Sequence, residues 1–223
     1  MCIRDSFNTT IDFREKAPLA ASQTMFLNVD GTFDEDANRI GLKAVGVPGT
    51  VAGLYLAHQK YGSLNWSSLI QPAIDIAENG FPMSKALIDW SEKIQGWADE
   101  KLFVKSFFKD NFGKALNVND LWKQPALAST LTYIRDFGHD GFYSGIIASE
   151  IETFMKKNDG LITKEDLLSY RAIERPVIEG TYGDFKILTM PPPSSGGLAL
   201  IQMLNMAENL PMDTFKPGSV NQI

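Results

Sequence analysis

The stretch Val177-Ile178-Glu179-Gly180-Thr181-Tyr182-Gly183-Asp184-Phe185-Lys186-Ile187-Leu188-Thr189-Met190, followed at once by Pro191-Pro192-Pro193-Ser194-Ser195-Gly196-Gly197, decides the fold class. Its hydrophobic period is two. Residues 177–181 and 185–190 therefore read as strands, and Tyr182-Gly183-Asp184 between them reads as the turn of a hairpin. Past the triple proline the period becomes helical, with Leu200, Met203, Leu204 and Ala207 marking the buried side of a helix over 198–209. A strand pair feeding a helix, in a chain whose other patterns are mostly helical, points to an α+β fold that is mainly helical with a few strands.

Upstream of this stretch, residues 8–15 alternate, Ile11 and Phe13 on one face and Thr10, Asp12 and Arg14 on the other, as a half-buried strand does. Pro18 ends it. Residues 30–36 set Gly31 among four acidic side chains and form an exposed loop. Gly-Val-Pro-Gly-Thr at 46–50 precedes a helix over 51–61, carried by Val51, Leu54, Tyr55, His58 and Tyr61 and capped by Gly62. A second helix spans 67–78, with Leu69, Ile70, Ala73, Ile74 and Ala77 inward and Pro72 in about its first turn, where proline is tolerated. Ser84 caps a third that carries Leu87, Ile88, Ile94 and Trp97.

Residues 101–122 are aromatic-rich and lack a clear period. Helical spacing returns over 125–137 through Leu127, Leu131 and Ile134, and over 142–157 through Ile146, Ile147, Ile151, Phe154 and Met155, with Gly160 as its stop. Thr163 with Asp166 three residues later resembles a capping arrangement for a short helix reaching Tyr170. The pattern yields about three strands, the first without a nearby partner. A sheet so thin is incomplete, and a fragment of a larger protein is expected.

Composition narrows the function. Of 223 residues 21 are basic and 27 acidic, for a net charge of −6, and the basic residues form no stripe, which excludes a nucleic-acid partner. A hydrophobic share of 44% with 14 Phe and 4 Trp is that of a globular protein. No run approaches the roughly 18 apolar residues that cross a bilayer. The one cysteine, Cys2, permits neither an internal disulfide nor a cysteine metal site. Residues 1–10 lack the pattern of a secretory signal, so the protein is cytoplasmic or its amino terminus lies upstream; the second is the expectation.

Candidate chemistry is sparse. His58 sits in an amphipathic helix and His139 in Gly-His-Asp-Gly; an ordinary packed or surface histidine and a turn residue are the simpler readings. No Gly-x-Ser-x-Gly elbow, His-Glu-x-x-His or calcium loop occurs. Ser194-Ser195-Gly196-Gly197 before a helix either presents backbone N–H groups to an anion or makes a rigid, closely packed turn. Arg14, on a strand beside Phe13, suits bidentate capture of a carboxylate; the alternative is an internal ion pair with Asp12 or a neighbour.

Five motifs share one order and spacing: Asp12-Phe13-Arg14-Glu15 with Ala17-Pro18; Gly49-Thr50-Val51-Ala52-Gly53; Gly160-Leu161-Ile162-Thr163-Lys164-Glu165-Asp166-Leu167; Glu174-Arg175-Pro176; and Pro191 to Gly197 with Gln202, Leu204 and Asn205 beyond it. Together they resemble the large subunit of gamma-glutamyltranspeptidase, also called glutathione hydrolase. The resemblance runs from residue 8 to 223; residues 1–6 do not match and read as a foreign start, leaving 7–223 as one partial large-subunit domain. It implies an incomplete N-terminal-nucleophile hydrolase (αββα) fold and an autoprocessing zymogen. In that family the new amino-terminal threonine of the small subunit attacks the γ-glutamyl carbonyl, its own amine serving as base.

The substrate implied is glutathione or another γ-glutamyl compound, with water, amino acids or peptides as acceptors and no metal or organic cofactor. The small subunit of the same precursor is the implied partner, and it carries the nucleophile and most substrate contacts. Arg14 matches the family arginine that grips the α-carboxylate of the γ-glutamyl group. Ser194 to Gly197 resembles a specific turn and is not a nucleophile. Bacterial members are periplasmic or secreted. The remaining alternatives are a cephalosporin or glutaryl acylase-like relative and a non-catalytic helical interaction module.

Overall fold

A computed structural model describes residues 2–4, 7–39, 41–97 and 115–211. In chain order the strands are β1 (Cys2–Arg4), β2 (Phe7–Asp12), β3 (Phe81–Pro82), β4 (Leu121–Trp122), β5 (Ile173–Arg175), β6 (Ile178–Tyr182) and β7 (Phe185–Thr189). The helices are α1 (Thr50–Tyr61), α2 (Trp66–Asn79), α3 (Lys85–Trp97), α4 (Pro125–Phe137), α5 (Asp140–Tyr143), α6 (Gly145–Lys157), α7 (Lys164–Ser169) and α8 (Ser195–Ala207). They divide into two units, one made of Met1–Phe13 with Ala172–Ile223, the other of Arg14–Arg171.

In the first unit β2 lies between β1 and β5, antiparallel to both, with Cys2 opposite Thr9 and Thr10 opposite Arg175. The partner that the sequence did not reveal for this strand is Ile-Glu-Arg, too short for a period to show. The structure also shows which side chains of the strand are buried. Thr9, Thr10 and Asp12 are buried while Phe13 is 37% exposed. The threonine hydroxyls donate to the Arg175 carbonyl at 3.3 and 3.0 Å and Asp12 accepts from Arg175 Nε at 2.8 Å, so these polar side chains are satisfied inside and can be buried.

The hairpin β6–β7 forms as the pattern requires, Tyr182 opposite Phe185 across Gly183-Asp184. Gly183 takes φ +54°, open to glycine at no steric cost. Its N–H donates to Glu208 Oε1 at 2.6 Å. Helix α8 begins three residues before the expected start and packs on the hairpin. A Cβ on Gly180 would lie 3.0 Å from Ile201, and one on Gly197 would strike the Met190 carbonyl, so the two glycines set how closely helix and strands approach.

In the second unit α2 and α4 pack through Ile74, Ala77 and Ala128, with Ile70 and Leu131 alongside. Trp66 donates to the Ile134 carbonyl at 2.9 Å and meets Tyr55 of α1 edge-on. Asn65 caps α2 by accepting from Ser67 N. Pro72 is the seventh residue of α2, well past its first turn; on an exposed face the missing N–H is tolerated. The ribbon β3–β4 sits over Met83, Leu116 and Trp122, against which Leu87 and Ile88 of α3 pack. Ser84 Oγ accepts from Leu87 N, as its cap position implied. The side chains of Ile94 and Trp97, and residues 101–114 of the aromatic stretch, lie outside the described residues.

The helix expected over 142–157 is two helices. Ser144 is extended and Gly145 has φ +64°, which ends α5 and starts α6 in a new direction. The capping arrangement before α7 is a complete box: Thr163 Oγ1 accepts from Asp166 N, and Asp166 Oδ2 accepts from Thr163 N.

Candidate functional site

Arg14 stands two residues beyond the last residue of β2, so it is carried by the segment that follows the strand and not by the strand itself. That segment is fixed along its backbone. The Arg14 carbonyl accepts the Tyr170 hydroxyl at 2.7 Å. Lys16 and Val47 exchange both backbone hydrogen bonds, at 3.2 and 2.8 Å, and Leu19 N donates to Asp166 Oδ1 at 2.6 Å. Gly46 leaves room for Glu15, since a Cβ there would sit 2.8 Å from its Cβ and Cγ.

Each anchor is itself held. Tyr170, 2% exposed, stacks on the fully buried Tyr143 at 5.6 Å with ring planes 11° apart. The Tyr143 hydroxyl donates to the Pro48 carbonyl at 2.7 Å and accepts from Ala52 N at 3.3 Å, which locks the 46–50 loop to the start of α1. Lys16 Nζ lies 5.0 Å from the Tyr170 ring centroid and donates to the Arg171 carbonyl. Segments around Val47, Asp166 and Tyr170, far apart in sequence, thus converge on residues 14–19.

Electrostatics follow from these contacts. Burial pushes the Asp166 carboxyl up, but hydrogen bonds from Leu19 N and from Thr163 outweigh it and leave the group below its usual range. Burial raises the Tyr143 phenol, which keeps its proton to donate. The Arg14 guanidinium remains 53% exposed, with Nη2 3.5 Å from Glu15 Oε1, itself 62% exposed. An ion pair so open to water is weak, so a ligand carboxylate can displace Glu15 at little cost. A neighbour is thus an ion partner of Arg14, as the alternative reading allowed, whereas Asp12 pairs with Arg175.

The other candidates are structural. His58 Nε2 is 2.8 Å from the Leu64 carbonyl and its ring packs on Trp66. His139 Nδ1 is 3.1 Å from Asp140 and its ring stacks on Tyr143. In the acidic loop Asp30 accepts from Thr32 and Asp34 from Asp36 and Ala37, all local turns. Among the described residues no three His, Cys, Asp or Glu side chains are grouped to hold a metal. Ser194 N donates to the Pro191 carbonyl and Gly197 packs against Met190, which supports a rigid turn at this motif. Sequence reasoning missed Tyr143 and Tyr170. Aromatic residues ending two short helices carry no signal that they stack.

Comparison with known proteins decides the family. The sequence pattern described as Gamma-glutamyltranspeptidase matches residues 1–223. The chain belongs to the gamma-glutamyltranspeptidase family. Among gamma-glutamyltranspeptidase relatives, the glutathione hydrolase proenzyme of Escherichia coli (strain K12) is 42% identical over 218 residues, 96% of this chain and 37% of that protein. The crystal structure of Helicobacter pylori gamma-glutamyltranspeptidase shares 42% identity at a TM-score of 0.91, covering 96% of this chain and 61% of that one. A cephalosporin acylase from Bacillus halodurans, at 24% identity and a TM-score of 0.78, shares the fold alone. The fold is that of the N-terminal-nucleophile hydrolases, in part, since the chain spans little more than a third of the curated relatives it matches. These relatives are enzymes made as proenzymes.

Proposed function

We propose that residues 7–223 are part of the large subunit of a precursor that cleaves γ-glutamyl amide bonds, of glutathione and its conjugates, and passes the γ-glutamyl group to water, an amino acid or a peptide. The observation that carries this is Arg14: an exposed guanidinium on a backbone clamped by Tyr170, Val47 and Asp166. A fork of N–H donors so held grips the α-carboxylate of a γ-glutamyl substrate in two parallel hydrogen bonds and so fixes the γ-carbonyl three carbons away. The nucleophile is the amino-terminal threonine of the small subunit from the same precursor. Its hydroxyl adds to that carbonyl and loses its proton to its own amine; the leaving amine takes a proton as the C–N bond breaks; water or an acceptor amine then opens the ester.

Arg14→Lys in the full-length precursor tests the reading, because an ammonium keeps the charge and loses the fork. The KM for γ-glutamyl-p-nitroanilide rises about tenfold if one strong hydrogen bond is lost; unchanged kinetics remove the assignment. A periplasmic or secreted location is proposed with it, and cell fractionation decides that. Among the described residues no helix is long and apolar enough to cross a membrane.

A further inference from the structure

We propose that Tyr170 is the positioning residue for Arg14, an inference that rests on Arg14 gripping the substrate carboxylate. Its hydroxyl donates to the Arg14 carbonyl at 2.7 Å across 156 positions of sequence. The donor cannot drift. Tyr170 is 2% exposed, its ring lies nearly parallel to that of the buried Tyr143, and Tyr143 is tied by its own hydroxyl to Pro48 and Ala52.

The direction of the bond matters. It acts on the peptide group that leads out of Arg14, so it sets the position from which the guanidinium stem leaves the backbone while the guanidinium itself stays open to solvent. Two further anchors of this segment bind later in the chain, at Lys16 and Leu19. Without that bond the Cα of Arg14 is held only indirectly, through Asp12 in β2 before it and Lys16 beside Val47 after it, and the stem of the guanidinium gains freedom to shift. Tyr170 therefore acts through Arg14 and touches no substrate. Its loss is felt by substrates that carry the α-carboxylate and by no others.

Tyr170→Phe in the full-length precursor, which keeps the buried ring, tests this against Arg14→Met and the double variant. Two substrates are compared: γ-glutamyl-p-nitroanilide, and 4-aminobutyryl-p-nitroanilide, which lacks the α-carboxylate. The expected result is that Tyr170→Phe raises KM for the first at least twofold and at most about tenfold, the ceiling set by one hydrogen bond, with kcat little changed. The ratio of kcat/KM between the substrates falls in step, and Tyr170→Phe adds nothing in the Arg14→Met background. Both KM and the ratio are independent of how much protein matures, so a partly folded variant still gives the answer. Equal losses on both substrates, or an unchanged KM while Arg14→Met raises it, overturns the role of Tyr170 alone. An unchanged KM in Arg14→Met overturns the reading of Arg14 and this inference with it.

Discussion

The carboxylate of Asp12 accepts a hydrogen bond from Arg175 Nε at 2.8 Å, joining two strands through residues 163 positions apart. The aspartate side chain is 10% exposed and the arginine 36%. Removing the carboxylate leaves a largely covered guanidinium short of an acceptor beside the β1–β2–β5 sheet. Asp12→Ala is expected to destabilise the protein by about 1–3 kcal/mol. Urea unfolding checks it, and a midpoint equal to that of the parent contradicts it.

Asp166 gives a pH dependence. Its carboxyl is held below the usual range in the folded protein, so the stabilisation it provides is fully present above the unfolded value, about 3.9, and is lost as pH falls through the lower folded value. Asp166→Asn is expected to lose about 1 kcal/mol or more at pH 7, the size of a capping contribution. The gap between parent and variant closes as the pH is lowered below about 4. A gap that stays constant from pH 7 to pH 3 contradicts the role of the charge.

Adjacent glycines at the start of α8 separate close packing from flexibility. A Cβ on Gly197 meets the Met190 carbonyl and, at 2.7 Å, Thr189 Oγ1, whereas one on Gly196 meets only Ser194 Oγ at 3.8 Å. Gly197→Ala is expected to lose about 1–3 kcal/mol by forcing helix from hairpin. Gly196→Ala is expected to be neutral or to gain up to about 1 kcal/mol of helix propensity. Denaturation midpoints of the two variants, measured side by side, test the pair; equal shifts refute it.

How much of this was legible in the sequence depended on whether a feature was local. The hairpin around Gly183, the helix over 125–137 and the Thr163–Asp166 box were readable because each is written in one short run of sequence. Strand β5 was not, since three residues with Glu174 and Arg175 among them show no period. Which face of β2 is buried was not readable for a related reason: Thr10 and Asp12 are polar, and the distant Arg175 makes them buriable. The break at Ser144 was hidden by apolar spacing that continues across it.

Arg14 shows the same division within the candidate site. Its residue type and the surrounding motif were visible in the sequence, and the resemblance they carry supplied a role. Its place beyond the strand and the tyrosine that holds its carbonyl were not visible, because that contact closes over 156 positions and depends on a ring stack with no sequence signature.

The pairing of β2 with β5 also sets a timetable for synthesis. About 160 residues separate the two strands, and at about 5–20 residues per second a ribosome needs roughly 8–30 s to deliver the second after the first. During that interval the edge of β2 that β5 will cover has, among the described residues, no strand on it and can pair with a passing one. Nascent chains of this protein are thus exposed to edge-to-edge association for longer than most small domains take to fold. Slowing translation between the codons for Phe13 and Ala172 lengthens that exposure, while a holding chaperone that covers residues 7–12 removes it.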